Sequence, residues 1–222
     1  MIRWGREDAS SRPQRHHLTP RPGIIRTGEK WDPDLMSPED RIVITRGHDD
    51  LTATDLASLA AFFDAEYRAS FGPWSPEHPY GYAGHNVHIL ARRGGRIIGH
   101  AGFQRRRIAA GSRELTIAGV GGVLVAPEVR GTGLGTQLMD VAATAMRSRT
   151  GIDAGYLGCR EDVVPFYESC GWRRIAAPER HIDRLSGEVV EEPPGPPLLI
   201  LPITLALEDW PSGMIDLRGR PW

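Results

Sequence analysis

Cysteine is nearly absent. Cys159 and Cys170 are the only two among 222 residues, too few for a disulfide framework or for a four-ligand zinc site of their own, so two free thiols and no metal are expected. Long apolar runs are missing too. No stretch approaches the ~18 residues of a membrane span, and the N-terminus lacks the apolar core of a secretory signal, so a cytoplasmic protein without membrane contact is expected. Nor is there an excess of charge of either sign: 27 Lys and Arg stand against 28 Asp and Glu. That balance argues against wrapping a nucleic acid by bulk electrostatics and favours a small-molecule partner. What the chain has in quantity is 26 Gly and 18 Pro, near the upper edge for a folded domain, and their placement organises the rest.

Residues 1–40 carry Pro13, Pro20, Pro22, Pro33 and Pro38 among Arg, Ser and Asp with little apolar periodicity, as expected of a flexible extension; Met36 is an alternative start. The folded domain is expected over 41–222. It opens with a β-branched run, Ile42 to Ile44. Thr54-Asp55 then begins a helix with Leu56, Leu59, Phe63 and Tyr67 at helical spacing and Thr54 as N-cap, ending near Gly72-Pro73. Gly94-Gly95 joins a strand through His88–Ala91 to one through Arg96–Gln104 as a hairpin, and Arg105–Ala109 continues it or bends away as a third strand. Leu115–Val125 is an apolar, glycine-rich strand, the pattern of a bulge or a ligand against the backbone. A helix from Leu134, a strand at 154–157, a helix at about 163–169, a strand opened by Gly171-Trp172, a proline-rich connector at 193–197 and a strand at 198–205 complete the order. Antiparallel strands before a βαβα stretch predict a mixed α/β sheet with helices on both faces.

Between strand and helix lies Val129-Arg130-Gly131-Thr132-Gly133-Leu134-Gly135-Thr136. Its glycines leave backbone N–H groups free, the helix start adds partial positive charge, and Arg130 adds a full one, so the unit suits a pyrophosphate. A P-loop would need a lysine that is missing. A dinucleotide fingerprint would need its third glycine one residue later, although Asp153 sits about where an acidic ribose ligand would. A glycine turn that merely packs tightly is the remaining alternative.

The same segment resembles the phosphate loop of the GNAT acetyltransferases, with Arg130, Gly133 and Gly135 at the motif positions. Gly122-Val123-Leu124-Val125 is similar to that family's splayed strand, and Phe166-Tyr167-Glu168-Ser169-Cys170-Gly171-Trp172 to its later aromatic signature. The resemblance implies acetyl-CoA or another acyl-CoA as co-substrate, its pyrophosphate on 130–136 and its pantetheine arm along Val123, Leu124 and Val125. A backbone N–H of that strand would stabilise the oxyanion formed when an amine attacks the thioester. Tyr167 would protonate the leaving thiolate, the alternative being a core tyrosine bonded to backbone. Cys159 as an acyl-accepting nucleophile is a weaker reading, because direct transfer needs no covalent intermediate.

Two further segments narrow the likeness. Gly99-His100 followed by Gln104-Arg105-Arg106, and the end Met214-Ile215-Asp216-Leu217-Arg218-Gly219-Arg220-Pro221-Trp222, resemble the aminoglycoside 2'-N-acetyltransferases. Asp209-Trp210-Pro211-Ser212-Gly213 before Ile215-Asp216 is similar to the ending of the nodulation N-acyltransferases, which place a fatty acyl group on a chitooligosaccharide amine. Both imply an amino-sugar acceptor, and edge strands in such folds often pair into homodimers. Asp216 and the Trp222 α-carboxylate are the expected acceptor ligands, although chain ends fray by default. The sequence departs from the aminoglycoside enzymes where they carry a basic Glu, reading Gly121 instead, and where they carry an acid near the end, reading Arg220. His100 is then the first candidate base, with His88 and His85 behind it and His88 also able to meet substrate. The Arg105-Arg106-Arg107 run either contacts a CoA phosphate or faces water. The expected activity is acetyl transfer from acetyl-CoA to an aminoglycoside amine, with kasugamycin a fitting acceptor for a site short of acids. Its rivals are a longer-chain N-acyltransferase and a binding module that has lost its base.

Overall fold

The computed structural model describes residues 41–222; the expected extension and the alternative start at Met36 lie outside them. Strand β1 (Ile42–Gly47) leads through one 3-10 turn into helix α1 (Ala53–Phe71). The N-cap is Thr52, not Thr54. Its hydroxyl accepts from Asp55 N at 3.1 Å while the Asp55 carboxylate accepts from Thr52 N at 3.0 Å, and this reciprocal box requires the acid three residues on, a spacing Thr54 does not have. Gly72, at φ +79°, ends the helix.

Strands β2 (Val87–Arg93) and β3 (Arg96–Ala110) form the expected hairpin, with Gly94 and Gly95 both at positive φ. Arg105–Ala109 continues the second strand of that hairpin as the far half of β3 and does not bend away. Strand β4 (Arg113–Val125) returns antiparallel to β3; helix α2 (Leu134–Arg147), β5 (Ala154–Gly158), α3 (Val164–Ser169) and β6 (Arg173–Ile175) follow. Then come β7 (Glu179–Ile182), β8 (Val189–Glu192), β9 (Leu198–Pro202) and β10 (Ile215–Asp216). All ten lie in one sheet. β4 covers one edge of β3; the other edge is shared, with β2 on its first half and β10 on Ala109 and Ala110. Helix α1 buries Leu59, Phe63 and Tyr67 against Leu90, Ile97 and Leu124 on one face. Helices α2 and α3 cover the other face, where Leu138, Met146 and Tyr167 meet Val123, Val125 and Trp172.

Two irregularities in β4 prepare the site. Its parallel ladder with β5 covers only Ile117, Ala118 and Gly119, after which β4 runs on to Val125 while β5 diverges. Against β3, Gly121 stands opposite Gly102 and Leu124 opposite His100, so β4 carries one extra residue, and Gly122 adopts φ +61°. This bulge shifts the alternation of faces. Before it Gly119 and Gly121 look to the side occupied by Trp222 and His85; after it Leu124 looks to α1, and Val123 and Val125 turn to the α2 side.

Candidate active site

The glycine loop has the geometry of an anion cradle. Gly131 and Gly133 both sit at φ +78°, and a Cβ at either would meet nothing within 4 Å, so the space above the loop is open. Gly133 caps α2 in the left-handed region, and the first helical bond runs from Gln137 N to Gly133 O at 3.1 Å. The N–H groups of Leu134, Gly135 and Thr136 therefore begin a 14-residue helix with no intrahelical acceptor of their own. Thr132 Oγ1 donates to Val129 O at 2.8 Å, which tightens the turn. Arg130 is anchored rather than reaching outward: its Nε donates to Val125 O and its terminal nitrogen to Glu66 of α1, each at 3.0 Å. It ties the loop to the end of β4. These residues fit the pyrophosphate of an acyl-CoA donor.

On the α1 side of the sheet, four histidines meet. His100 Nδ1 lies 2.6 Å from Gly122 O, and because a carbonyl only accepts, this nitrogen carries the proton. His100 Nε2 then accepts from His88 Nδ1 at 3.0 Å, and His88 Nε2 accepts from His48 Nδ1 at 3.2 Å. One carbonyl thus fixes the tautomer of all three rings. His85 packs beside them, its ring over Gly102, where a Cβ would meet it at 2.5 Å, and its Nε2 3.1 Å from where a Gly121 Cβ would stand. Burial drives the affinity of these rings for a second proton down, with the neighbouring imidazoles adding to the effect at His85 and His88: His88 falls to about 3, His100 to about 4, and His85 well below the usual range. His100 is fully buried with both nitrogens engaged, so the expectation that it takes a proton directly from an amine does not hold.

The tail is part of the sheet face. Instead of fraying, Trp222 is buried, its ring flat on the β4 backbone: a Cβ on Gly119 would meet the indole at 2.1 Å. Arg106 covers the other side with its guanidinium 4.0 Å from the ring centre, and Trp222 Nε1 donates to Gln104 Oε1 at 3.1 Å. Arg106 also donates to the carbonyls of Leu217 and Arg220 and is buried enough that its pKa drops to about 10, so it serves the tail and not a CoA phosphate. Arg220 donates to the carbonyls of Gly81, Asp183 and Arg184. The Asp216 carboxylate accepts from Arg218 N at 2.8 Å and lies 3.9 Å from Arg180. Asp216 is thus engaged by the protein's own groups, and the Trp222 ring, though not its α-carboxylate, is held by Arg106 and Gln104.

Gly119 and Gly121, in the glycine-rich strand expected to carry a bulge or a ligand against its backbone, make room for Trp222 and His85. A side chain at either position must displace them. The Gly119→Val variant should lose about 3 kcal/mol of stability, read as a melting temperature lowered by roughly 10 °C. Gly121→Glu, which restores the acid carried by the aminoglycoside enzymes, should destabilise similarly and gain no activity, because its Cβ would stand 2.8 Å from Trp222 C. Unchanged melting in both would show that the tail is not packed as described.

Tyr167 lies on the α2 side, buried, its ring edge-on to Phe166 and Trp172. Burial raises its hydroxyl pKa, and Cys159, Cys170 and Tyr67 add to the shift, so it is a phenol at neutral pH. Burial also lifts the Cys159 thiol to about 12, so that it stays a thiol at neutral pH. Between α1 and the end of β4 opens a cleft of about 320 Å³ with Phe62, Ala65, Ile97 and Leu124 in its walls and Glu66 and Arg96 among its polar groups, a volume typical of ligand pockets.

A diverging pair of central strands, a bulge at their mouth and an anion-binding helix start are together the architecture of the GNAT N-acyltransferases. The sequence model of Nodulation protein A (NodA) matches residues 44–221. The chain belongs to the NodA family. Among solved structures, Escherichia coli ElaA is similar at 20% identity over 72% of this chain and 97% of its own, with a TM-score of 0.50. An acyl-CoA N-acyltransferase from Pseudomonas aeruginosa is similar at 18% identity over 72% and 99%, also with a TM-score of 0.50. Likeness at that identity establishes the GNAT fold. A search of curated proteins returns no match.

In this NodA-family chain the glycine loop before α2 and the bulge were readable from sequence, whereas His48, Glu66 and the tail-holding roles of Gln104 and Arg106 were not. His48 is 40 residues from His88 in sequence, and only the β1–β2 register, which sets Gly47 beside Val87, brings them together. Nor did any motif announce β7 and β8, where buried Glu179 accepts from Tyr156 and lies 3.0 Å from His181 Nδ1. Among the described residues no helix is long and apolar enough to cross a membrane.

Proposed function

We propose that the protein transfers an acyl group longer than acetyl from an acyl-CoA donor to the amine of an amino sugar in an oligosaccharide, by direct attack on the thioester. The match to the NodA family over 44–221 carries this reading. Two features support it. The acids that would hold a polycationic aminoglycoside are spoken for, Asp216 by Arg218 and Arg180, and Arg220 stands where those enzymes keep another. The cleft beside Leu124 offers apolar wall for an alkyl chain.

On this reading Leu134, Gly135 and Thr136 bind the donor pyrophosphate, Arg130 keeps the loop in register, and the splayed edge at Val123 and Val125 receives the pantetheine arm. As the neutral amine bonds to the thioester carbon and the bond to sulfur breaks, the Val123 N–H faces the developing oxyanion, Tyr167 gives its proton to the departing thiolate, and the proton shed by the amine passes to water, from which Tyr167 is reprotonated. The test is a matrix of acetyl, octanoyl and palmitoyl donors against a chitooligosaccharide amine, kasugamycin and a deoxystreptamine aminoglycoside, read by thiol release and product mass. Transfer of the longer chains to the oligosaccharide is expected, and Ala65→Trp, which narrows the cleft, should cut their transfer by about tenfold relative to acetyl. Acetylation of an aminoglycoside alone would establish the other acceptor class. CoA binding with no transfer to any acceptor would leave a binding module.

A further inference from the structure

The chain of three histidines converges on one peptide group. We propose that His100, supported by His88 and His48, is a positioning residue that holds the Gly122–Val123 peptide so that the Val123 N–H is fixed as the oxyanion-stabilising donor. This rests on the acyl-transfer reading above.

Peptide geometry carries the inference. Every peptide bond among the described residues is trans, so the Gly122 carbonyl and the Val123 N–H point in opposite directions across one rigid plane. The carbonyl is held at 2.6 Å by His100 Nδ1. His100 stands on the α1 side, its ring edge-on to Phe63 of α1 at 5.1 Å between centres. The Val123 N–H must therefore point away from α1, toward the side where β4 and β5 diverge. An ordinary strand aims both groups along the sheet at its neighbours; the bulge, with Gly122 at φ +61°, is what frees this plane to rotate. Something must then fix the rotation, because an oxyanion donor is worth most when it needs no reorganisation.

The chain behind His100 makes the hold one-sided. Neutral imidazole has one donor, and either nitrogen can carry it. Here His88 Nδ1–H occupies His100 Nε2, forcing the proton to Nδ1, and His48 does the same for His88. His48, the only one of the three that is not buried, connects the set to the surface. Burial keeps His100 and His88 neutral at physiological pH, so the donor to Gly122 is an uncharged N–H that does not switch.

Two variants separate this role from the others a histidine could have. In His100→Asn the amide nitrogen takes the place of Nδ1 and can still donate to Gly122 O; in His100→Gln the amide falls where Nε2 was, leaving the carbonyl without its donor. With an acyl donor that the wild type turns over, His100→Gln should lose about 10²-fold in kcat. Its KM for the donor, and its CoA affinity by calorimetry, should stay within about twofold of wild type, and His100→Asn should recover most of the loss. Equal losses in both variants, or a loss confined to KM, would overturn the proposal. A readout without turnover accompanies it: imidazole nitrogen–proton correlation spectra of the wild-type protein should show His100 as the Nδ1–H tautomer at neutral pH, and an Nε2–H form would overturn the proposal even if both variants fail to fold. If the wild type transfers no acyl group, the proposed function fails while the tautomer measurement still decides the positioning of the peptide.

Discussion

Turnover of the Tyr167→Phe variant should fall by about 10²-fold or more, the usual worth of a positioned general acid, with the KM for the acyl donor nearly unchanged. Tyr167 sits on α3 in the buried cluster that also holds Val123 and Val125, with Cys159 and Cys170 close enough to add to its shift. Because burial is the leading cause of that shift and acts against ionisation, the group is held as a donor throughout the working range. A thiolate leaving a thioester needs such a donor at the moment the bond to sulfur breaks. The Phe ring keeps the packing against Phe166 and Trp172, so fold and donor affinity should survive. Steady-state kinetics on the two proteins decide the matter, and an unchanged kcat would remove Tyr167 from the mechanism.

Stability should drop steeply as the pH falls below about 6.5, well before most carboxylates are protonated. His88 and His100 take up protons in the unfolded chain near the ordinary histidine value of 6.5, but in the folded protein only near 3 and 4, and His85 is displaced in the same direction. Below 6.5 the unfolded state therefore binds more protons than the native state, and stability is lost with acid. Each such group contributes a slope approaching about 1.4 kcal/mol per pH unit. The loss begins below 6.5 and is complete for His100 near pH 4 and for His88 near pH 3. Two or three groups titrating together over a unit and a half consume much of the roughly 5–15 kcal/mol that holds an ordinary domain. Urea midpoints measured between pH 7.5 and pH 5 test this directly. A flat profile would mean that the histidines titrate in the fold as they do in water.

The glycine loop before α2 was legible because its pattern is local: glycines, a helix start and an arginine lie within seven residues and announce themselves in order. The bulge was legible for the same reason, as glycines inside an apolar strand. What the sequence could not show is which neighbour each glycine serves. Gly131 and Gly133 leave open space, while the space beside Gly119 and Gly121, in the preceding strand, is filled by a tryptophan from the end of the chain and a histidine from a loop. Nothing local distinguishes the two pairs. The same limit applied to His100. Its place in the strand was readable, but its role depends on His88, His48 and Gly122 O, contacts made across separate strands. Thr52 against Thr54 was a smaller miss, of one acid at the wrong spacing.

The way β10 and Trp222 are seated also bears on how the chain reaches this state. The β2–β3 and β3–β4 hairpins join residues close in sequence and can pair early. The bonds of Gln104 and Arg106 to the tail span 118 and 114 residues, and such distant contacts form late because the intervening chain must first be ordered. Until they form, the Gly119 backbone and the apolar face around it are uncovered. A nearly complete sheet with that face bare is the species in which this fold is most open to association with another copy of itself.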